Sequence, residues 1–239
     1  GDQNTFIGYV AGSANTTGQE NTAVGANALD ANTTGNNNVA VGTSSLSANT
    51  TGVRNTSIGR EALENSTTAD NNTAVGYQAL EENTTGHSNT AVGSLSLTAN
   101  TTGTENTAVG KGAMDANTTG STNDAFGVDA LGSGSGFAAC AAFGNSALKN
   151  NTGDDNTAVG YQALASNTSG GANTAVGQGA LDACTIGSSN TGMGSGAMSV
   201  LTTGGNNSGF GRLAGNDITT GSNNLCLGTS SEQVPLLEQ

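Results

Sequence analysis

One short string, Asn21-Thr22-Ala23-Val24-Gly25, recurs from one end of the chain to the other, and its period limits what the chain can fold into. The closing glycines are Gly8, Gly25, Gly42, Gly59, Gly76, Gly93, Gly110, Gly127, Gly144, Gly160, Gly177, Gly194, Gly211 and Gly228, giving 14 copies. They are spaced 17 residues apart, except for 16 between Gly144 and Gly160. The missing residue falls in the second turn, which reads Asn151-Thr152-Gly153 instead of Asn-Thr-Thr-Gly.

The template is N-T-A-V-G-x-x-A-L-x-x-N-T-T-G-x-x. Four residues before each glycine stands Asn, with Cys140 the exception. One residue before it stands a large apolar side chain, from Ile7 and Val24 to Phe210 and Leu227. Three after it is Ala or Ser, and four after it is Leu or Met from Leu29 to Met198. Acids such as Glu81, Glu82, Asp154 and Asp155 fall mostly in the variable positions.

A unit this short, with two large apolar residues, cannot bury a core alone, so neighbours must stack. Two glycines per unit and Thr-rich runs disfavour helix. Thr-Ala-Val predicts a short strand with alternating faces. The Gly25 column predicts a tight corner with unusual backbone angles, and Asn-Thr-Thr-Gly a second turn. The expected fold is an all-β parallel β-solenoid (a left-handed β-roll) of 14 coils with a 17-residue repeat over residues 1–229. Stacking at about 4.8 Å would turn the Asn column into a ladder of side-chain amides. The Val and Leu columns would form two aliphatic ladders. The thin core predicts self-association that buries one face, with the small Ala columns suited to close approach. A hexapeptide β-helix does not fit the apolar spacing, and no column is Asp as a calcium-binding nonapeptide repeat requires.

Composition agrees with many turns and little core. Gly, Asn and Thr number 38, 31 and 35 of 239 residues, aromatics are 3%, and there is one Pro and no Trp. Collagen is excluded, since Gly is not every third residue. The Pro, Lys and Glu runs of disordered chains are missing. No apolar run of about 18 residues exists to span a membrane as a helix. Gly1 is not a natural start, so the chain is expected to be an excerpt of a longer protein. The pattern breaks near the end, where Glu232 takes the Leu column and Pro235 and Leu236-Leu237 follow. Residues 230–239 are therefore expected to be a connector to a following segment.

The string G-x-x-N-T-A-V-G-x-x-A-L resembles the head repeat of YadA-type trimeric autotransporter adhesins. Variants such as Asn4-Thr5-Phe6-Ile7-Gly8-Tyr9-Val10-Ala11-Gly12 are similar to repeats in phage tail fibres and related fibres. The adhesin units are shorter, because here the Asn-Thr-Thr-Gly turn is lengthened. The resemblance covers residues 1–231. It implies a homotrimer of left-handed parallel β-rolls. In function it implies a structural and adhesive fibre segment, extracellular on a cell or virion, presenting a tip to a host receptor or glycan. The alternative is a Thr-rich ladder surface that binds glycan or ice.

No residue pattern points to catalysis, a cofactor or a metal. The single histidine, His87, reads as a solvated turn residue, so no His-based metal cluster or Ser-His-Asp triad can be assembled in one chain. Gly110-Lys111-Gly112 lacks the spacing of a phosphate-binding loop. The glycine–serine run 132–136 reads as a variant turn. Asp154, Asp155 and Asp129 read as solvated acids rather than cation ligands. Phe137 in a glycine position and Cys140 in the Asn column mark an irregular coil, read as drift. Cys140, Cys184 and Cys226 sit in three different columns more than two coils apart, about 10 Å or more. That exceeds the roughly 7 Å Cα limit of a disulfide, so free packed thiols are expected. The net charge of −13 disfavours nucleic acid and bare anionic membrane as partners. The 12 Asn-x-Ser/Thr sequons, including Asn15, Asn32, Asn49, Asn83, Asn100 and Asn117, read as by-products of the turn sequence.

Overall fold

The computed structural model describes residues 3–229, and the expected connector at 230–239 lies outside them. The described residues form three-residue strands joined by turns, with no helix. The chain divides into two compact units, Gly1–Thr122 and Asn123–Gln239. The first holds β1 (Thr5–Ile7), β2 (Thr22–Val24), β3 (Val39–Val41), β4 (Thr56–Ile58), β5 (Thr73–Val75), β6 (Thr90–Val92) and β7 (Thr107–Val109). The second holds β8 (Asp124–Phe126), β9 (Ala141–Phe143), β10 (Thr157–Val159), β11 (Thr174–Val176), β12 (Thr191–Met193), β13 (Ser208–Phe210) and β14 (Leu225–Leu227). Within each unit every strand pairs in parallel with the next in chain order.

The fold is a parallel β-solenoid, and one repeat is one coil. Paired residues are one period apart, as in Thr22 with Val39 and Ala23 with Ala40. The short coil keeps this register, since Ala141 pairs with Thr157 and Phe143 with Val159. Its lost residue is absorbed in the second turn. There Asn151 Nδ2 reaches the Gly153 carbonyl two residues on, whereas Asn167 reaches Gly170 three residues on.

The interior differs from the expected one. In a three-residue strand the middle side chain points opposite to its two neighbours. The middle residue is small and buried: Ala23, Ala40, Ala74, Ala91 and Ala108 are wholly inside. The second Ala column (Ala28, Ala62, Ala79) and the Leu column (Leu29, Leu46, Leu63, Leu80) complete the apolar core. The Val column therefore faces outward and is not a core ladder. The Ala columns, expected at a contact between copies, are sealed inside the coil, because a single coil closes tightly enough to use them itself.

Asparagine fills the rest of the interior. Asn21 Oδ1 accepts the Asn38 backbone N–H at 2.9 Å and its side-chain amide at 3.2 Å. Asn38 Nδ2 also donates to the Gly52 carbonyl at 2.9 Å, tying the strand entrance to the second turn. A second ladder, not anticipated from sequence, runs through the Asn-Thr-Thr-Gly turns. Asn32 donates to Asn15 at 2.8 Å, Asn49 to Asn32 at 2.9 Å and Asn100 to Asn83 at 2.9 Å. Beside it the first turn threonine bonds to the next coil, as from Thr33 Oγ1 to the Thr50 carbonyl at 3.0 Å.

This second ladder breaks where Asn is replaced. Ser66 and Cys184 stand in its column, and the Asn49 and Asn167 Oδ1 atoms that would bond to them have no partner. Ser66 Oγ is also buried and unpartnered.

Backbone geometry holds another surprise. The Gly25 column has φ near +140°, with Gly76 at 142°, and a Cβ on Gly76 would overlap the Gly93 carbonyl. The Leu column is also left-handed, with Leu29 at φ 53° and Leu80 at 54°. That conformation costs an L-residue about 1–2 kcal/mol. Burying a leucine returns about 1.5–3 kcal/mol, which is why the column tolerates the strain.

Two stability changes follow. Ser66→Asn should reconnect the ladder and raise the unfolding free energy by about 1–2 kcal/mol in urea titrations. Gly76→Ala, at φ 142° and against the next coil, should lower it by about 2–4 kcal/mol in the same measurement.

Candidate functional surface

Because Ala faces in, each strand presents its first and last residues to solvent. The last residues form an apolar column. Ile58 and Met193 keep 40% and 41% of their surface, against 0% for the neighbouring Ala74. Ile7, Phe126, Phe143, Val159, Phe210 and Leu227 are exposed in the same column. The Phe126 and Phe143 rings stack along it with centroids 4.9 Å apart and planes 6° from parallel. The first residues are mostly Thr and half-buried. The side chains of Thr22, Thr56, Thr73 and Thr90 make no hydrogen bond within the chain. Asp124 is the one charged residue in either column.

The residues weighed from sequence lie elsewhere. His87 is exposed, its Nδ1 lying 3.4 Å from Ser88 Oγ. Asp154 Oδ1 accepts the Ala138 backbone N–H at 2.8 Å, as Asp70 does for Val53 at 2.7 Å, so these acids cap amides of the preceding coil. Asp129 sits 3.8 Å from Lys149. Lys111 is exposed at a corner. In the 132–136 run, Ser133 N–H donates to the Lys149 carbonyl at 2.8 Å.

The irregular coil is a coupled exchange rather than simple drift. Gly134 vacates the second Asn column, and the buried Phe137 ring lies against that position. The Phe137 carbonyl still accepts the Asn123 amide at 3.0 Å, doing the work of the usual glycine.

The turn sequons are largely closed to glycans. Asn32, Asn49, Asn83, Asn100 and Asn117 are fully buried, with Nδ2 spent on glycine carbonyls and neighbouring amides. All three cysteines are free and buried. Burial pushes the Cys140 thiol up to about 11, holding it protonated at neutral pH.

One acidic group was not singled out in the sequence. Glu61, Glu64 and Glu81 bring their carboxylates within 4.8 Å of one another. Glu64 and Glu81 are one repeat apart, so they face each other on adjacent coils. The readable signal was two acids in one column. Gln78 Nε2 donates to Glu61 at 3.0 Å and Glu81 at 3.1 Å, and Arg60 pairs with Glu61 at 2.6 Å. Burial, then repulsion from neighbouring carboxylates, raises the Glu64 and Glu81 pKa values. A raised carboxyl favours the folded state when protonated, and that contribution is lost as pH rises through its titration. Removing the charge with Glu81→Gln should therefore stabilise the fold at pH 7 by about 0.2–1 kcal/mol, the scale of facing like charges. The gain should shrink toward pH 4 in thermal melts across that range, as the wild-type carboxyls take up protons.

No helix among the described residues is long and apolar enough to cross a membrane. No protein-family model matches the chain, and no curated protein matches its sequence.

Proposed function

We propose that the chain is a structural and adhesive segment of an extracellular fibre, on a cell or virion surface, working as a homotrimer. The carrying observation is the outward apolar column, repeated in coil after coil, which a single chain leaves half-buried at Val24, Val41 and Val75 and exposed at Ile58, Phe126 and Met193. Soluble monomers rarely expose contiguous apolar patches beyond a few hundred Å². The resemblance of the repeat to trimeric adhesin heads and tail fibres gives the reading its biological form. A solenoid suits the task, since stacking identical coils builds length from local contacts alone. Attachment would be to a host-surface receptor or glycan through a tip carried by this segment.

A Thr-rich surface that binds glycan or ice is the second reading. The first threonine of each turn weighs against it, because Thr33, Thr84, Thr101 and Thr168 spend their hydroxyls on the next coil, which leaves only the second, such as Thr34 and Thr85, exposed there. The strand threonines keep theirs, but they alternate with the apolar column.

Sedimentation equilibrium tests the proposal. A particle of about three times 23.1 kDa is expected, and a compact monomer at micromolar concentration would overturn it.

A further inference from the structure

The fold sorts the 12 Asn-x-Ser/Thr sequons into those a sugar can reach and those it cannot. An N-linked sugar makes two demands of its acceptor. The amide nitrogen must be open to a transferase. The hydroxyl two residues on must be free for the enzyme to read, with no Pro between them.

Seven sequons fail the first demand, because Asn55 of the first ladder and the turn asparagines from Asn32 to Asn167 are buried. Asn32 shows why: its Nδ2 donates both to Asn15 and to the Gly35 carbonyl. Three more are tied down nearer the surface. Asn15 Nδ2 donates to the Gly18 carbonyl at 3.0 Å, and its Oδ1 takes the Asn32 amide. Asn65 donates to Glu82 at 3.2 Å, and the hydroxyl of its sequon, on Thr67, donates to the Thr84 carbonyl at 3.4 Å. Asn150 donates to the Ala165 carbonyl at 2.9 Å, and Thr152 to the Thr168 carbonyl at 2.7 Å.

Asn71-Asn72-Thr73 and Asn206-Asn207-Ser208 remain, one in each unit. We propose that Asn71 and Asn206 are modification sites, the two positions at which the folded chain accepts an N-linked sugar. Both stand in the column just ahead of the first Asn ladder, left-handed at φ 60° and 58°. Both are exposed, while the ladder residues Asn72 and Asn207 that follow them are buried. The Asn71 amide is engaged through Oδ1 alone, which accepts Arg54 Nε at 2.7 Å. The Asn206 amide makes no hydrogen bond within the chain, and the Thr73 and Ser208 hydroxyls make none. Their neighbours in the column, Arg54 and Ser88 on one side and Ser189 and Asn223 on the other, are exposed too. A sugar therefore meets solvent above and below.

The reaction is a glycosyl transfer from a nucleotide- or lipid-diphosphate sugar. The amide nitrogen bonds to the anomeric carbon as the bond from that carbon to the diphosphate oxygen breaks. The diphosphate leaves, and the amide proton passes to a base of the transferase. At Asn71 and Asn206 the lost N–H breaks no bond of the fold. At Asn32 it would remove a ladder bond, and the sugar would have to sit inside the coil. The assignment goes beyond the fibre reading and holds for a monomer as well as for an assembly.

The test gives the folded full chain a soluble asparagine glycosyltransferase that reads Asn-x-Ser/Thr, with UDP-glucose as donor. Mass spectrometry then maps the hexoses. One hexose on Asn71 and one on Asn206 are expected, and a peptide digest of the same chain should gain them at turn sequons as well. Thr73→Val and Ser208→Ala, which keep each Asn and remove the hydroxyl, should each abolish labelling at their own site with the wild-type circular dichroism spectrum retained. No hexose at Asn71 or Asn206 of the folded chain overturns the assignment. Labelling of a buried turn asparagine such as Asn32 in the folded chain overturns it too, because burial would then not be what sorts the sequons.

Discussion

The interior amide of asparagine is the interaction on which this structure depends. A parallel stack pairs each coil with the next through its strand backbones and through turn amides such as Leu29 N–H to the Ser45 carbonyl, but the strand entrance and the second turn of each coil must also be tied across the interior. Asn21, Asn38, Asn55 and Asn72 do that work. Each accepts the backbone N–H of the next ladder residue and donates to a second-turn carbonyl. Such groups are costly to bury without partners and favourable when fully bonded, so the ladder both stabilises the stack and fixes its register. A slip by one residue would break every rung at once.

Filling the interior with amides and alanines has a consequence for the surface. A coil closed around Ala23, Ala28 and two asparagines has room for one large apolar side chain, and Leu29 takes it in a left-handed conformation. The second large residue of each repeat is left outside. The apolar column on the strand face is thus a geometric result of a narrow coil.

The irregularities follow the same logic. Ser66 interrupts the second ladder and Cys184 ends it, with Leu201 and Ile218 following in the column, and buried oxygens are left unpartnered at Asn49 and Asn167, so the stack holds with rungs of this ladder missing. Gly134 and Phe137 change together, one large ring taking the space of a missing amide. The stack also tolerates a short coil, because the second turn carries no strand pairing and can lose a residue without shifting the next strand.

The 17-residue spacing of glycines by itself determined the solenoid, the position of the strands, the first Asn ladder and the turn that absorbs the missing residue. These are legible because a period translates directly into stacking, and each column then meets only itself. The sequence did not reveal which way the strand faces, since Thr-Ala-Val alternates equally well with Val inside or Ala inside. It did not show that Asn32 forms a second ladder, since Asn-Thr-Thr-Gly is also an ordinary turn. Nor did it bring Glu61 to Glu64 and Glu81, which requires the corner geometry. Those features were decided only by the tertiary structure, because the inside of a coil is set by how tightly the chain closes, and closure is a property of all the turns of a coil acting together.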